Sequence, residues 1–170
     1  MQGFVHAYFG DGAGKTTRSI GMCVRALGAG RKVFFIQFMK DGTSSEVELI
    51  RTLPNLEYRC TGTLGFIFDR TPTEEEKELA RKGLEACKEA LRGGYDVVVA
   101  DEILNAVGKG LIGEKDLIAL IDARPGNVEL VLTGRPCPDS ILERCDYATE
   151  LKNVKHPHER GVEGRKGIDY

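Results

Sequence analysis

The sequence predicts one α/β domain over residues 1–170, a mainly parallel sheet with helices on both faces. Three observations predict it. Short apolar runs, rich in β-branched and aromatic residues, alternate with amphipathic segments of helical period, a pattern that implies parallel strands joined by right-handed crossovers. The first run passes directly into a Gly-rich loop and then a helix, the opening of a βα unit. No internal repeat, low-complexity tract or long linker divides the chain, whose length suits one compact domain.

The runs at residues 3–9, 33–38, 56–60, 96–100, 129–133 and 147–151 predict six strands. Helical patterns fall at 15–28, 46–53, 74–92, 114–123 and 139–144, with a short piece at 103–107. The longest helical pattern opens with Thr73 and Glu76 at capping-box spacing. Its Leu79, Gly83, Leu84, Cys87 and Leu91 share one face, and Gly93 and Gly94 end it. The stretches 61–72 and 152–170 lack periodicity and read as irregular. Ligands of parallel α/β sheets bind at the carboxyl ends of the strands, so the turns that follow the strands are where function is sought.

Composition narrows the partners. A net charge of -2 gives no electrostatic reason to expect nucleic acid. The five cysteines show no Cys-x-x-Cys pair and no histidine at ligand spacing, and they read as buried thiols in a reducing cytosol. A basic stretch followed by an apolar one is missing from the start of the sequence, and no apolar run approaches the ~20 residues needed to cross a bilayer. The expectation is a cytoplasmic protein, neither secreted nor membrane-bound.

Directly after the first strand stand Gly10, Asp11, Gly12, Ala13, Gly14, Lys15, Thr16 and Thr17, followed at once by a helical pattern. This is the context of a phosphate-binding loop. Glycines allow positive φ and close backbone approach, so amides and a helix N-terminus point at phosphate oxygens while Lys15 adds a mobile charge. Thr16 can place its hydroxyl on Mg²⁺. The usual first glycine would fall at Phe9 and here comes one residue later, which suggests a tightened loop.

Asp101 and Glu102 end the apolar strand that precedes them, which puts two carboxylates at the same sheet edge, able to hold Mg²⁺ directly or through its waters. Thr133-Gly134-Arg135 ends another strand and delivers a guanidinium suited to phosphate oxygens, or else a surface arginine in a turn. Arg25, on the helix after the loop, carries the same two readings.

These residues, together with Gln37-Phe38, Lys40, Gly65-Phe66, Ala123-Arg124-Pro125-Gly126, Val154-Lys155-His156, Gly161-Val162 and the closing Gly167-Ile168-Asp169-Tyr170, resemble the P-loop corrinoid adenosyltransferases, the ATP:cob(I)alamin adenosyltransferase family, over the whole chain. The resemblance implies a P-loop (RecA-like) fold and transfer of the 5′-deoxyadenosyl group of ATP to the Co(I) of a reduced corrinoid, with release of triphosphate. It implies Mg²⁺ at Thr16, Asp101 and Glu102, nucleotide contacts from the loop and Arg25, and Lys15 and Arg135 as catalytic cations. It also implies a cob(I)alamin or related corrinoid held at Phe66 and Phe68, an electron-donating flavoprotein, and a homodimer.

Three departures accompany it. Phe68 stands where similar relatives carry tryptophan, Asp11 where they often carry asparagine, and an N-terminal arm that some relatives fold over the corrinoid is not seen ahead of the first strand. Two other functions compete: a P-loop NTPase or small kinase, in which Glu102 orients water or an acceptor hydroxyl, and a corrinoid-binding or nucleotide-gated interaction protein that has lost catalysis.

Overall fold

A computed structural model describes residues 2–62 and 70–170. The element order is β1 (Val5–Phe9), α1 (Lys15–Gly28), β2 (Val33–Phe38), α2 (Ser45–Ile50), β3 (Leu56–Thr61), α3 (Glu74–Arg92), β4 (Val97–Asp101), α4 (Ile103–Gly108), α5 (Glu114–Asp122), β5 (Glu129–Thr133), α6 (Asp139–Leu142) and β6 (Tyr147–Glu150). A 3₁₀ turn at Pro157–Arg160 follows.

Every residue of β2 and β4 is buried, because both faces of the sheet are covered. The two-residue period divides their side chains between two cores. Phe34, Ile36, Phe38, Val98 and Ala100 face a core closed by buried residues of α3, α4 and α5, including Leu84, Leu104 and Leu117. Val33, Phe35, Val97 and Val99 face the other core, with Cys23 of α1 and Ile50 of α2. Each such large side chain contributes about 1.5–3 kcal/mol on burial.

The strands pair in the order β3-β2-β4-β5-β1-β6, and each pairing is parallel. All the carboxyl ends therefore share one edge. The α/β expectation and the six strands hold. The first strand begins at Val5 rather than residue 3, because the Phe4 amide donates to the Glu129 carboxylate at 2.9 Å and Gly3 to Gly126 at 2.8 Å, outside the ladder. The second helix spans Ser45–Ile50 rather than 46–53; Thr52 and Leu53 donate three residues back, tightening the end into a turn before left-handed Asn55.

At α3 the capping box is complete: the Thr73 hydroxyl accepts from the Glu76 amide and the Glu76 carboxylate from the Thr73 amide. Arg70 adds a fork on the same carboxylate, at 2.5 and 2.8 Å. The cysteines correct one expectation. Cys23 and Cys87 are buried thiols, whereas Cys60, Cys137 and Cys145 are only partly buried, the last two packed against the margin of a core. No described helix is long and apolar enough to cross a membrane.

Candidate functional site

The phosphate loop is fixed from both sides. The Gly10 amide donates to the Arg135 carbonyl at 3.0 Å, continuing the β1–β5 pairing, and the Gly12 amide donates to the Leu151 carbonyl at 2.7 Å. The fit against the end of β6 is close: a Cβ at Gly12 would lie 2.7 Å from the Leu151 carbonyl carbon. Phe9, where the first glycine is usual, remains the last residue of β1, and the turn starts at Gly10 with φ 101°.

α1 starts in an unusual electrostatic condition. Its N-cap is Gly14, at φ 95°, with no side-chain cap and no acidic residue in the first turn. By contrast α3 has a full capping box and Glu74, Glu75 and Glu76 in its first turn. The first helical bond of α1 is Arg18 to Gly14, so the amides of Lys15, Thr16 and Thr17 have no acceptor within the helix, and the positive end of its dipole is unopposed. An anion completes such a helix start.

Lys15 is buried, with its ammonium donating to the Gly10 carbonyl at 2.7 Å and the Gly12 carbonyl at 2.8 Å. Burial lowers its pKa below the usual lysine range, against the nearby Glu102, which raises it. Those two carbonyl bonds hold the lysine over the loop.

Asp101 is the centre of the sheet-edge network. It lies on the same face as Val97 and Val99, beneath the start of α1, and is fully buried. Its carboxylate accepts from Thr16 Oγ1 at 3.0 Å, Gln37 Nε2 at 3.0 Å, Thr133 Oγ1 at 2.7 Å and Lys40 Nζ at 3.4 Å. Tyr58 donates to Gln37 Oε1 at 2.7 Å and so fixes the amide's orientation. Glu102 has φ 64°, a left-handed conformation that costs a residue other than glycine about 1–3 kcal/mol. Its amide donates to Thr133 Oγ1 at 2.8 Å, and its carboxylate takes a short bond from Asn105. Burial, then the adjacent Asp101, raises the Glu102 pKa; Lys40, Asn105 and Lys15 oppose them.

Arg135 reaches the loop by backbone placement. Its amide donates to Asn105 Oδ1 at 2.7 Å, and its exposed guanidinium stands 3.9 Å from Asp11. Gly134, at φ 155°, permits the turn because a Cβ there would sit 2.5 Å from Leu104 Cβ.

The structure thus gathers Gly10, Asp11, Gly12, Ala13, Gly14, Lys15, Thr16, Thr17, Asp101, Glu102 and Arg135 along one edge. Arg25 is not among them: it is exposed in the last turn of α1, about 15 Å along the axis from Lys15. Phe66 and Phe68 lie outside the described residues. Gln37, Lys40, Tyr58, Asn105 and Thr133 are contributors that the motifs alone did not place in the site.

The donor set suits a hard divalent cation. Thr16 gives its proton to Asp101 and keeps oxygen lone pairs, with two carboxylates at hand and only oxygen ligands offered. No cluster of three or more His, Cys, Asp or Glu is present among the described residues, so such an ion would need ligands from the nucleotide and water.

Known families decide what edge this is. The family model of ATP:corrinoid adenosyltransferase BtuR/CobO/CobP matches residues 1–170. The chain belongs to this adenosyltransferase family. It is 33% identical to the corrinoid adenosyltransferase of Escherichia coli strain K12 over 99% of this chain and 86% of that one. The Salmonella typhimurium enzyme matches at the same identity and coverage. The corrinoid adenosyltransferase of Pseudomonas aeruginosa is 30% identical over 99% of this chain and 84% of its own length.

Proposed function

We propose that this adenosyltransferase moves the 5′-deoxyadenosyl group of ATP onto the cobalt of cob(I)alamin or a related corrinoid and releases intact triphosphate. The observation that carries the reading is the family match over the whole chain. The uncapped α1 start beside Lys15 agrees with it. A cobalt–carbon bond forms while the bond from carbon 5′ to the triphosphate oxygen breaks, and the electron pair leaves with the triphosphate. The reduced cobalt is itself the nucleophile, so the protein's task is the leaving group.

In this reading the amides of Lys15, Thr16 and Thr17 receive phosphate oxygens, and the Lys15 ammonium exchanges its bonds to the Gly10 and Gly12 carbonyls for phosphate. Arg135 adds a second cation at the mouth. Thr16, Asp101 and Glu102 would hold Mg²⁺, directly or through its waters, with Gln37 and Thr133 orienting the Asp101 carboxylate. When bound, Mg²⁺ supplies positive charge to the polyphosphate. Phe66 and Phe68 take the lower face of the corrin. Arg25, a helix length away, has no part in the nucleotide contacts of this proposal. A homodimer, an electron-donating flavoprotein and a cytoplasmic setting complete it.

Product analysis tests the reading. With ATP, Mg²⁺ and chemically reduced cobalamin, adenosylcobalamin and triphosphate are expected in equal amounts. ADP and inorganic phosphate as main products would replace it with NTPase or kinase chemistry. Stoichiometric binding without turnover would leave only a binding protein.

A further inference from the structure

Lys40 stands against the two oxygens that a divalent cation would use. Its Nζ lies 3.3 Å from Thr16 Oγ1 and 3.4 Å from Asp101 Oδ2. The other donors to Asp101, namely Thr16, Gln37 and Thr133, are neutral, and Lys40 is the cation within ion-pair range of this buried carboxylate among the described residues. Lys15 is turned to the loop carbonyls instead.

The backbone puts Lys40 there. Met39, at φ 58°, ends β2 in a left-handed turn. Beside it the chain leaving β3 passes so closely that a Cβ at Gly62 would lie 2.3 Å from the Lys40 amide nitrogen. The Lys40 backbone is therefore pinned between two strand ends, while its side chain remains 26% exposed and able to swing. Both of its bonds are long, which makes them cheap to exchange.

We propose that Lys40 is a tethered cation: it neutralises Asp101 before a metal binds, yields that position to the divalent ion, and then pairs with the bound polyphosphate. The physical reason is charge exclusion. An ammonium and a divalent cation cannot both sit against Thr16 and Asp101, yet an arriving polyphosphate offers the displaced ammonium a new anionic partner one side-chain swing away. The inference rests on polyphosphate binding at this edge, not on adenosyl transfer.

The test uses Mn²⁺ and inorganic tripolyphosphate as probes of the full chain. Lys40→Met is expected to bind Mn²⁺ about tenfold more tightly than the wild type without nucleotide, by electron paramagnetic resonance, since Asp101 has lost its resident counter-charge. Calorimetry with Mg²⁺ present is expected to show tripolyphosphate bound about tenfold more weakly. The shifts are opposite in sign, whereas a damaged fold would weaken both. Lys40→Arg keeps the charge and should restore wild-type Mn²⁺ affinity; Lys40→Gln repeats the neutral comparison with a polar side chain.

Unchanged or weaker Mn²⁺ binding in both neutral variants would overturn the proposal, as would unchanged tripolyphosphate affinity. Neither measurement involves a corrinoid. ADP as the reaction product alongside both shifts would sink the adenosyl-transfer reading and support the role of Lys40.

Discussion

Thr133→Val isolates the hydroxyl that ties Asp101 to Glu102. Thr133 is fully buried; its hydroxyl donates to Asp101 Oδ1 at 2.7 Å and accepts the Glu102 amide at 2.8 Å. Valine keeps the shape and removes both bonds. Loss of a hydrogen bond to a buried carboxylate costs about 1.5–3 kcal/mol, and an amide left without an acceptor costs about 1–3 kcal/mol more. The added methyl returns about 0.8 kcal/mol. A net destabilisation of about 2–5 kcal/mol follows, and for a chain of 170 residues it lowers the melting midpoint by roughly 5–15 °C.

Urea denaturation with a linear extrapolation measures this, and Thr133→Ser is the control. Serine retains both bonds and loses only a buried methyl, worth about 0.5–1.5 kcal/mol. The larger loss in valine also reflects Glu102, whose left-handed backbone is held by the amide bond that valine deletes. The reasoning is refuted if Thr133→Val lies within about 0.5 kcal/mol of the wild type, or if serine costs as much as valine.

Two further predictions follow from neighbouring contacts. Lys15→Ala should lower adenosyl transfer at saturating ATP by about 10²–10³-fold while circular dichroism and the melting midpoint stay close to wild type; a variant keeping most of its rate would remove Lys15 from catalysis. Glu76 is held down to about 2 by the Arg70 fork and the Thr73 amide. Its folded value lies below its ordinary 4.5, so its contribution is complete above that pH and is lost as pH falls toward 2. Glu76→Gln should accordingly flatten the acid limb of stability over that window, read by denaturation at stepped pH, and an unchanged limb would count against the fork.

The alternation of strands and helices was legible because it is local: periodicity, the Thr73–Glu76 cap and the glycines of the loop each act within a few residues. Residue order also placed Asp101 and Glu102 at a strand end. What it could not supply is which strands flank β4. Asp101 meets Gln37 on β2 and Thr133 on β5 only because the sheet order sets β4 between them, and those partners are 64 and 32 residues away. Lys40 belongs to the residues that carry the resemblance, but its place beside Asp101 was hidden for the same reason and for one more: its direction depends on left-handed Met39, a residue type that gives no local sign of positive φ. Arg25 shows the opposite effect, since proximity in sequence to the loop became distance along the axis once α1 ran its length away from it.

The charge arrangement also bears on which half of the reaction the fold supports. The described thiols with shifted pKa are poor nucleophiles: burial pushes Cys23, Cys87 and Cys137 up to about 12, and Cys145 to about 11. A thiol that titrates so high is almost wholly protonated near neutrality and attacks nothing. Ser19, just inside α1, donates its hydroxyl to the Thr16 carbonyl at 2.7 Å and is engaged as well. The cationic groups, on the other hand, converge: uncapped helix amides, Lys15, Lys40 and Arg135 meet along one edge, with Asp101 and Glu102 balancing them until a polyphosphate arrives. A reaction whose substrate brings its own nucleophile needs only the second half, a place for negative charge to go, and in the proposed mechanism that is the half these residues provide.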